Sequence, residues 1–444
     1  MKKHLVAVGR YEKPFESTQK VVDLCQGMDL FKKGSRVFIK PNIVFWTVDV
    51  EFPKYGVITT SRTIHDMIVI LKDSGIDDIT LIEGSVALDM KQSSAKAAHA
   101  FKTLGYGELA RRYGIKTMNV FERPFRTVDL GDDVVLKMNA DIFDSDLIVD
   151  VPVMKTHVQT HVSLGIKNLK GLIDLASRKK CHSSDPVKDL HFHVARLSDQ
   201  LPPVFNLIDG IYTAEYGPNV DGRMHRSNIL VASKDIFSAD KVGALLLGHE
   251  PGDVPHLSHY GKNHHRPVDL SDVEVAGESI ASLARYHEPF FPWTDDNEMP
   301  AALREKGYKG LAYRRYDLTV CTYCAEVTGN ILTAIVKAWK GQPWDDVELL
   351  TGKTMMADPR KKHSILLGKC VSQANKNNTQ AQHLIPIKGC PPKQEQIIKA
   401  FHEAGIDIDP QIIHNVEKWP GNFMKRYRGN PDFDAGHFTV DQEA

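Results

Sequence analysis

The chain of 444 residues contains no apolar run near the roughly 20 residues that a membrane-crossing helix needs. It carries no charge surplus of either sign. Lys plus Arg and Asp plus Glu each number 56, so neither nucleic acid nor an anionic membrane surface is an expected partner. Cysteine is sparse, at six residues, which in a chain of this length is no disulfide framework and points instead to metal binding or catalysis. The opening Met1–Arg10 has two lysines and only the short apolar stretch Leu5–Val8, without a signal peptide's long hydrophobic region and cleavage site. A first β-strand and a cytoplasmic location are the expectations. GxGxxG, Walker, GxSxG and HExxH patterns are all missing, which argues against the commonest nucleotide, esterase and zincin sites.

What is present is ordinary globular composition, 42% hydrophobic and 25% charged, in a chain long enough for two or three domains. Short apolar runs alternate with helical periodicities. Val37-Phe38-Ile39, Ile79-Thr80-Leu81-Ile82 and Leu147–Val151 read as strands, and Thr18–Leu30, Thr63–Ser74 and Ser94–Leu104 as helices. Val204–Ile211 and Asn228–Ser233 read as further strands, with a turn-rich stretch between them and a helix over Ser238–Leu247. The predicted fold is α/β, with doubly wound, mostly parallel sheets: an N-terminal α/β region and a smaller C-terminal α/β domain that binds a cluster. The expected boundaries are 1–287, with lobes 1–200 and 201–287, a linker at 288–300, a four-cysteine domain at 301–415 and a tail at 416–444 that lies across a neighbouring subunit. In such sheets, sites form at the carboxyl ends of strands, and Lys40, Asn42, Glu83, Ser85 and Lys155 sit there.

Four cysteines fall in the last third. Cys321 and Cys324 form a C-x2-C pair; Cys370 follows after 45 residues and Cys390 after 19 more. Three of them end the strand-like runs Tyr316–Val320, His363–Lys369 and His383–Gly389. If those strands run parallel, their carboxyl ends share one sheet edge and the sulfurs converge. Pro391-Pro392 suits the first turn of a helix running to about Ala404, which would set Cys390 at a helix N-terminus. Ligation by four dispersed cysteines favours a 4Fe–4S cluster. Structural zinc is the alternative, although zinc sites usually use two tight pairs. Two buried strand-end cysteines beside a chance C-x2-C are the bland reading. Gly389-Cys390-Pro391-Pro392 resembles the last-ligand motif of the cluster-binding small subunits of nickel–iron hydrogenases and complex I, over four residues.

The stretch from Val151 to Leu172 holds Lys155, His157, His161, Lys167 and Lys170 just past a strand. On a helix, His157 and His161 would share a face and suit one metal or an acid/base pair working near neutral pH. The lysines would hold a carboxylate or phosphate, or act covalently if desolvated. A polar loop with solvated lysines is the competing reading. Cys181–His193, with His182 and His191, reads as a polar surface loop or a lid over the site. His256, His259, His264 and His265 read as an exposed turn, and Cys25 as core.

Ile39-Lys40-Pro41-Asn42, Ile82-Glu83-Gly84-Ser85, the Lys155-Thr156-His157 to Lys167-Asn168-Leu169-Lys170-Gly171 block, Ile208-Asp209-Gly210-Ile211, and Ala232-Ser233 with Asp235, Ala239 and Asp240 together resemble the family known as domain of unknown function 362, over about residues 1–280. Many of its members carry a ferredoxin-type iron–sulfur domain, so the resemblance implies association with redox clusters. The dispersed cysteines stand here in place of ferredoxin runs. His157, Gly165 and Lys167 also repeat a spacing of the lactate racemase family, which uses a nickel-pincer nucleotide: a catalytic histidine ten residues before the cofactor-bearing lysine, with glycine two before it. Ser163-Leu164 replaces the Gly-rich turn of that family and disfavours a nickel-containing cofactor.

The expectation is an iron–sulfur oxidoreductase or electron-transfer protein acting on a small anionic substrate. Cys321, Cys324, Cys370 and Cys390 are its cluster ligands, Lys155, His157, His161 and Lys167 its catalytic groups, and Lys40, Asn42, Glu83 and Ser85 its substrate-binding groups. A redox protein partner and a homo-oligomer are among the expected associations. The rivals are a racemase or isomerase related to the nickel-pincer enzymes, and a non-catalytic scaffold or cluster carrier.

Overall fold

The alternation of strand and helix is realised as two compact units. The computed structural model describes residues 3–85 and 90–440. The larger unit comprises Met1–Ser177, His191–Phe290 and Phe423–Ala444; the smaller comprises Arg178–Leu190 and Phe291–Asn422. No helix among the described residues is long and apolar enough to cross a membrane.

A ten-stranded sheet organises the larger unit. Its main path runs Val273–Gly277, His4–Arg10, Arg223–Ser233, Val204–Glu215, Leu147–Asp150, Arg36–Lys40, Asp78–Glu83 and Lys116–Asn119. From Val204–Glu215 to Lys116–Asn119 every neighbour is parallel. Arg223–Ser233 is antiparallel to both strands beside it. The turns expected at Tyr216–Asn219 and Asp221-Gly222 are present, and the strands on either side run further than expected, because Tyr212–Glu215 pairs with Arg223–Arg226 and lengthens both partners into a hairpin. The central strands are buried on both faces, as a covered parallel sheet requires. Their helices are capped conventionally. Thr60 accepts from the Thr63 amide ahead of Ser61–Asp73, and Asp235 from the Ser238 amide ahead of Ile236–Leu246.

Register explains where the polar residues meet. Lys40 is the partner of Asp150, and Asp150 of Asn206, so three adjacent parallel strands carry a polar side chain at one level, at the ends of two of them and near the start of Val204–Glu215. The tail, expected across a neighbouring subunit, packs on its own unit. Phe433 lies 5.0 Å from Tyr55 and 4.6 Å from Tyr427, ring to ring, and Phe438 stacks at 5.9 Å on Tyr212.

The smaller unit has a four-stranded, wholly parallel sheet in the order Leu311–Tyr313, Val347–Thr351, His363–Leu367, Leu384–Ile387. Alternation along the strands divides its core. Leu349, Ile365 and Ile385 pack under the helices Thr322–Ala338 and Gln394–Glu403, while Leu350 and Leu366 turn to the other face with Val371. Three expectations are corrected here. Tyr316–Val320 is loop, the first strand being Leu311–Tyr313, and the strand Val347–Thr351 was not foreseen. The helix expected from Pro391 begins at Gln394, four residues past Cys390.

Candidate functional site

The chemistry-bearing residues of the larger unit lie on a handful of strand ends and one short helix. The helix Gly165–Asn168 follows the hairpin of Val153–His157 and His161–Ser163. Asp240 caps it, its two carboxylate oxygens accepting from the Gly165 and Ile166 amides at 2.7 and 2.9 Å. Burial raises the Asp240 carboxyl to about 7 against the pull of those two bonds. Cβ atoms have no room at Gly165, where one would lie 2.2 Å from the Asn206 amide nitrogen.

Asn168, at the end of that helix, is the hub of a fully buried polar network. Its Oδ1 accepts from Asn42 Nδ2 at 2.8 Å and from Lys40 Nζ at 3.2 Å, and its Nδ2 donates to Asp150 Oδ1 at 2.8 Å. Asn206 Nδ2 donates to the other Asp150 oxygen at 2.9 Å. Lys40 pairs with Glu83 at 3.2 Å, and Glu83 also accepts from the Ile43 and Gly84 amides. Lys155 Nζ donates to Asn42 Oδ1 and to the Val57 carbonyl, both at 2.8 Å. Burial drags the Lys155 ammonium down to about 7. Burial likewise pushes the Asp150 carboxyl far above the usual carboxylate range, with Lys40 opposing it. Lys40, Asn42, Glu83 and Lys155 are therefore brought together and bonded to one another. Ser85 is also buried, and its Oγ has no hydrogen-bond partner.

His157 and His161 do not share a helix. They are directly paired across the hairpin, whose three-residue loop Val158–Thr160 leads into His161 at φ 60°, the left-handed position that follows such loops. The His157 Nδ1 accepts from the Gln159 amide at 3.0 Å, which sets the ring's proton on Nε2 when the imidazole is neutral. That Nε2 faces Lys167 Nζ at 3.4 Å. Two donors so arranged serve a common acceptor better than each other, and a carboxylate or phosphate oxygen is such an acceptor.

The histidines downstream also differ from expectation. Cys181, His182, His191 and His193 are buried and lie on or beside the helices Leu175–Cys181 and Leu190–Val194, not on a surface loop. His256 is fully buried on the helix Pro255–Asn263, not on an exposed turn. Sequence reasoning gave no site role to Asp150 or Asn206, met Asn168 and Asp240 only within the family resemblance, and took His256 for part of an exposed turn. The available signals were an aspartate ending a three-residue apolar strand, and Val254-Pro255 opening a helix with Leu257 and Tyr260 on its inner face.

In the smaller unit, Cys321 is the N-cap of Thr322–Ala338 and Cys324 lies in its first turn; Cys370 opens the helix Lys369–Ala374, and Cys390 follows Leu384–Ile387. Burial pushes the Cys324 thiol up to about 12, with Cys321, Cys370 and Cys390 all near enough to add to the shift. Burial raises the Cys370 thiol too, while Lys353 pulls it down. Gly368, at φ +100°, leaves room beside Cys324, where a Cβ would stand 2.9 Å from the sulfur. Arg178–Leu190 runs along this region: the Lys353 ammonium donates to the His182 carbonyl, and the Lys179 ammonium lies 4.3 Å from the Tyr323 ring centre. Among the described residues, no three His, Cys, Asp or Glu side chains are arranged to hold a single metal ion.

A mostly parallel α/β sheet whose central strands end on an interlocked set of lysines, carboxylates and amides defines the class of protein. The family described as a domain of unknown function, DUF362, matches residues 37–245, a span that contains the whole Lys40–Asn168–Lys155 network and both hairpin histidines. A thylakoid-associated protein of Synechocystis is 22% identical over 235 residues, which make up 52% of this chain and 69% of that protein. The lactate racemase apoprotein of Thermoanaerobacterium thermosaccharolyticum aligns over 92% of this chain and 94% of its own, at 9% identity and a TM-score of 0.37.

Proposed function

We propose that the chain is an iron–sulfur protein of the redox type: Cys321, Cys324, Cys370 and Cys390 hold a 4Fe–4S cluster, and Lys155, His157, His161 and Lys167 bind a small anionic substrate and handle its protons. The observation that carries the reading is the gathering of the Cys321–Cys324 pair with the sequence-distant Cys370 and Cys390 near the carboxyl edge of one parallel sheet, the other three thiols near enough to act on Cys324. A single zinc ion needs its four sulfurs on one centre at about 2.3 Å. Four cysteines of which only one pair is tightly spaced suit a polynuclear cluster better. Bound there, the cluster supplies electrons one at a time. Cys370 and Cys390 are exposed, which suits exchange with a redox partner protein in a reducing, cytoplasmic setting.

The remaining chemistry belongs to this chain's own side chains. Lys167 and the His157 Nε2–H present two donors to an oxyanion. Lys155, neutral for part of the time near pH 7, keeps a basic amine two positions from His157 on the same strand. That pairing also favours a second reading, a redox-silent isomerase with a structural metal at the cysteines. The two part on whether turnover survives loss of iron.

The test is anaerobic purification followed by iron, sulfide, zinc and nickel analysis per chain alongside the visible spectrum. About four irons and four sulfides, lost on Cys390→Ala, are expected. One zinc in a colourless solution overturns the cluster.

A further inference from the structure

His256 is an anomaly in an otherwise well-satisfied unit. It is fully buried, and neither ring nitrogen has a hydrogen-bond partner. A buried polar group without a partner is a standing cost that folds avoid. The helix Pro255–Asn263 has no need of an imidazole at this position, since Leu257 and Tyr260 supply its apolar face and Tyr260 stacks on Phe237 at 4.5 Å. Leucine would be the economical residue.

The surroundings narrow what the imidazole is for. His191, from the helix Leu190–Val194, lies parallel to it at 8° with ring centres 6.1 Å apart. Lys167, from Gly165–Asn168, His161, from the strand His161–Ser163, and His259, from its own helix, are near enough to act on it. After burial, the strongest influences on His256 are all cationic or potentially so, and they drive its proton affinity well down. Nitrogen groups from four chain segments are thus gathered around one buried imidazole. A metal ion is disfavoured there by the lysine, and no three candidate ligands among the described residues are arranged for one. An oxyanion answers every feature. It supplies acceptors to Lys167, to the His157 Nε2–H and to His256, and its negative charge favours the lysine and any of these histidines that takes up a proton.

We propose that His256 and Lys167 are two walls of a buried oxyanion site, completed by His157, His161 and His191, which takes the carboxylate or phosphate group of a small ligand. This rests on the reading of His157 and Lys167 as substrate-binding groups and adds to it the ligand class and a residue, His256, that neither motif nor family match singled out.

The probes are inorganic phosphate and acetate, titrated into the full-length protein by calorimetry and by thermal unfolding. At least one is expected to bind saturably and raise the melting temperature; which one does so tells phosphate from carboxylate. His256→Leu is expected to melt at or above the wild-type temperature without anion, because an unsatisfied imidazole is gone, yet to lose the anion-induced rise and bind at least tenfold more weakly. Lys167→Met should lose binding in the same way and decides the matter if His256→Leu fails to fold. Absence of saturable binding by both anions, or wild-type affinity in His256→Leu, overturns the proposal. Iron is measured in the same samples. Anion binding in iron-free protein sinks the cluster reading alone, and iron-replete protein that binds neither anion sinks this one alone.

Discussion

Replacing Lys155 by Met perturbs the larger unit at a point where the sign and size of the effect follow from burial. The side chain is 2% exposed, and its nitrogen makes two hydrogen bonds of 2.8 Å, to Asn42 Oδ1 and the Val57 carbonyl, which are the two N–H groups of a neutral amine. In the unfolded chain the ammonium titrates near 10.5; in the fold it titrates near 7. Between those values the unfolded state holds a proton that the native state has released, so this group adds stability as pH rises across that window. Each pH unit is worth up to about 1.36 kcal/mol, and the full span about 5 kcal/mol as an upper figure. Below pH 7 both states are protonated and the contribution is flat. Lys155→Met removes the slope and orphans two acceptors at about 1–3 kcal/mol each. Urea unfolding of both proteins, followed by far-UV circular dichroism at pH 7, 8, 9 and 10, should show the wild type's advantage shrinking by about 1.4 kcal/mol per unit as pH falls. A difference that stays constant from pH 7 to 10 would mean that Lys155 keeps its proton in the native state, and the reasoning fails.

Glu83→Gln leaves the Lys40 ammonium buried opposite a neutral amide and should cost about 3–5 kcal/mol in urea unfolding; a loss under about 1 kcal/mol would show that the pair at 3.2 Å is not what holds that lysine. Asp240→Asn should gain on the wild type as pH rises from about 4 to about 7, because the native carboxyl keeps its proton up to about 7 while the unfolded one releases it near 3.8; parallel stability curves would refute this. Gly368→Ala sets a Cβ 2.9 Å from the Cys324 sulfur on a backbone at φ +100°, at a cost of about 1–3 kcal/mol, and should at least halve the iron bound per chain; full iron content would dissociate Gly368 from the cysteine site.

Much of the α/β plan was legible. Val37–Ile39, Ile79–Ile82 and Leu147–Val149 are apolar runs too short for helices, and the amphipathic spacing of Ile64, Met67, Ile68 and Leu71 has one solution in a helix. Pairing direction was not legible. A strand's own residues do not say whether its neighbour runs with it or against it, so the antiparallel strand Arg223–Ser233 and the extra strand Val347–Thr351 emerged only in the fold. Lys40, Asn42, Glu83 and Lys155 were visible as polar residues at or near strand ends. That they bond to one another was not, because Asn168, which ties them together, lies 126 positions from Asn42.

Local sequence thus determined the short apolar strands, the amphipathic helices and the dispersal of the four cysteines, all of which depend on side-chain chemistry at fixed short spacing. Tertiary structure alone decided what those residues meet. Burial turned Lys155 from an ordinary ammonium into an amine titrating near 7, cross-strand register turned His157 and His161 into a hairpin pair, and the packing of the helix Pro255–Asn263 put His256 out of reach of water with both nitrogens unpaired. Desolvation and register are properties of the assembled chain, and no window of sequence contains them.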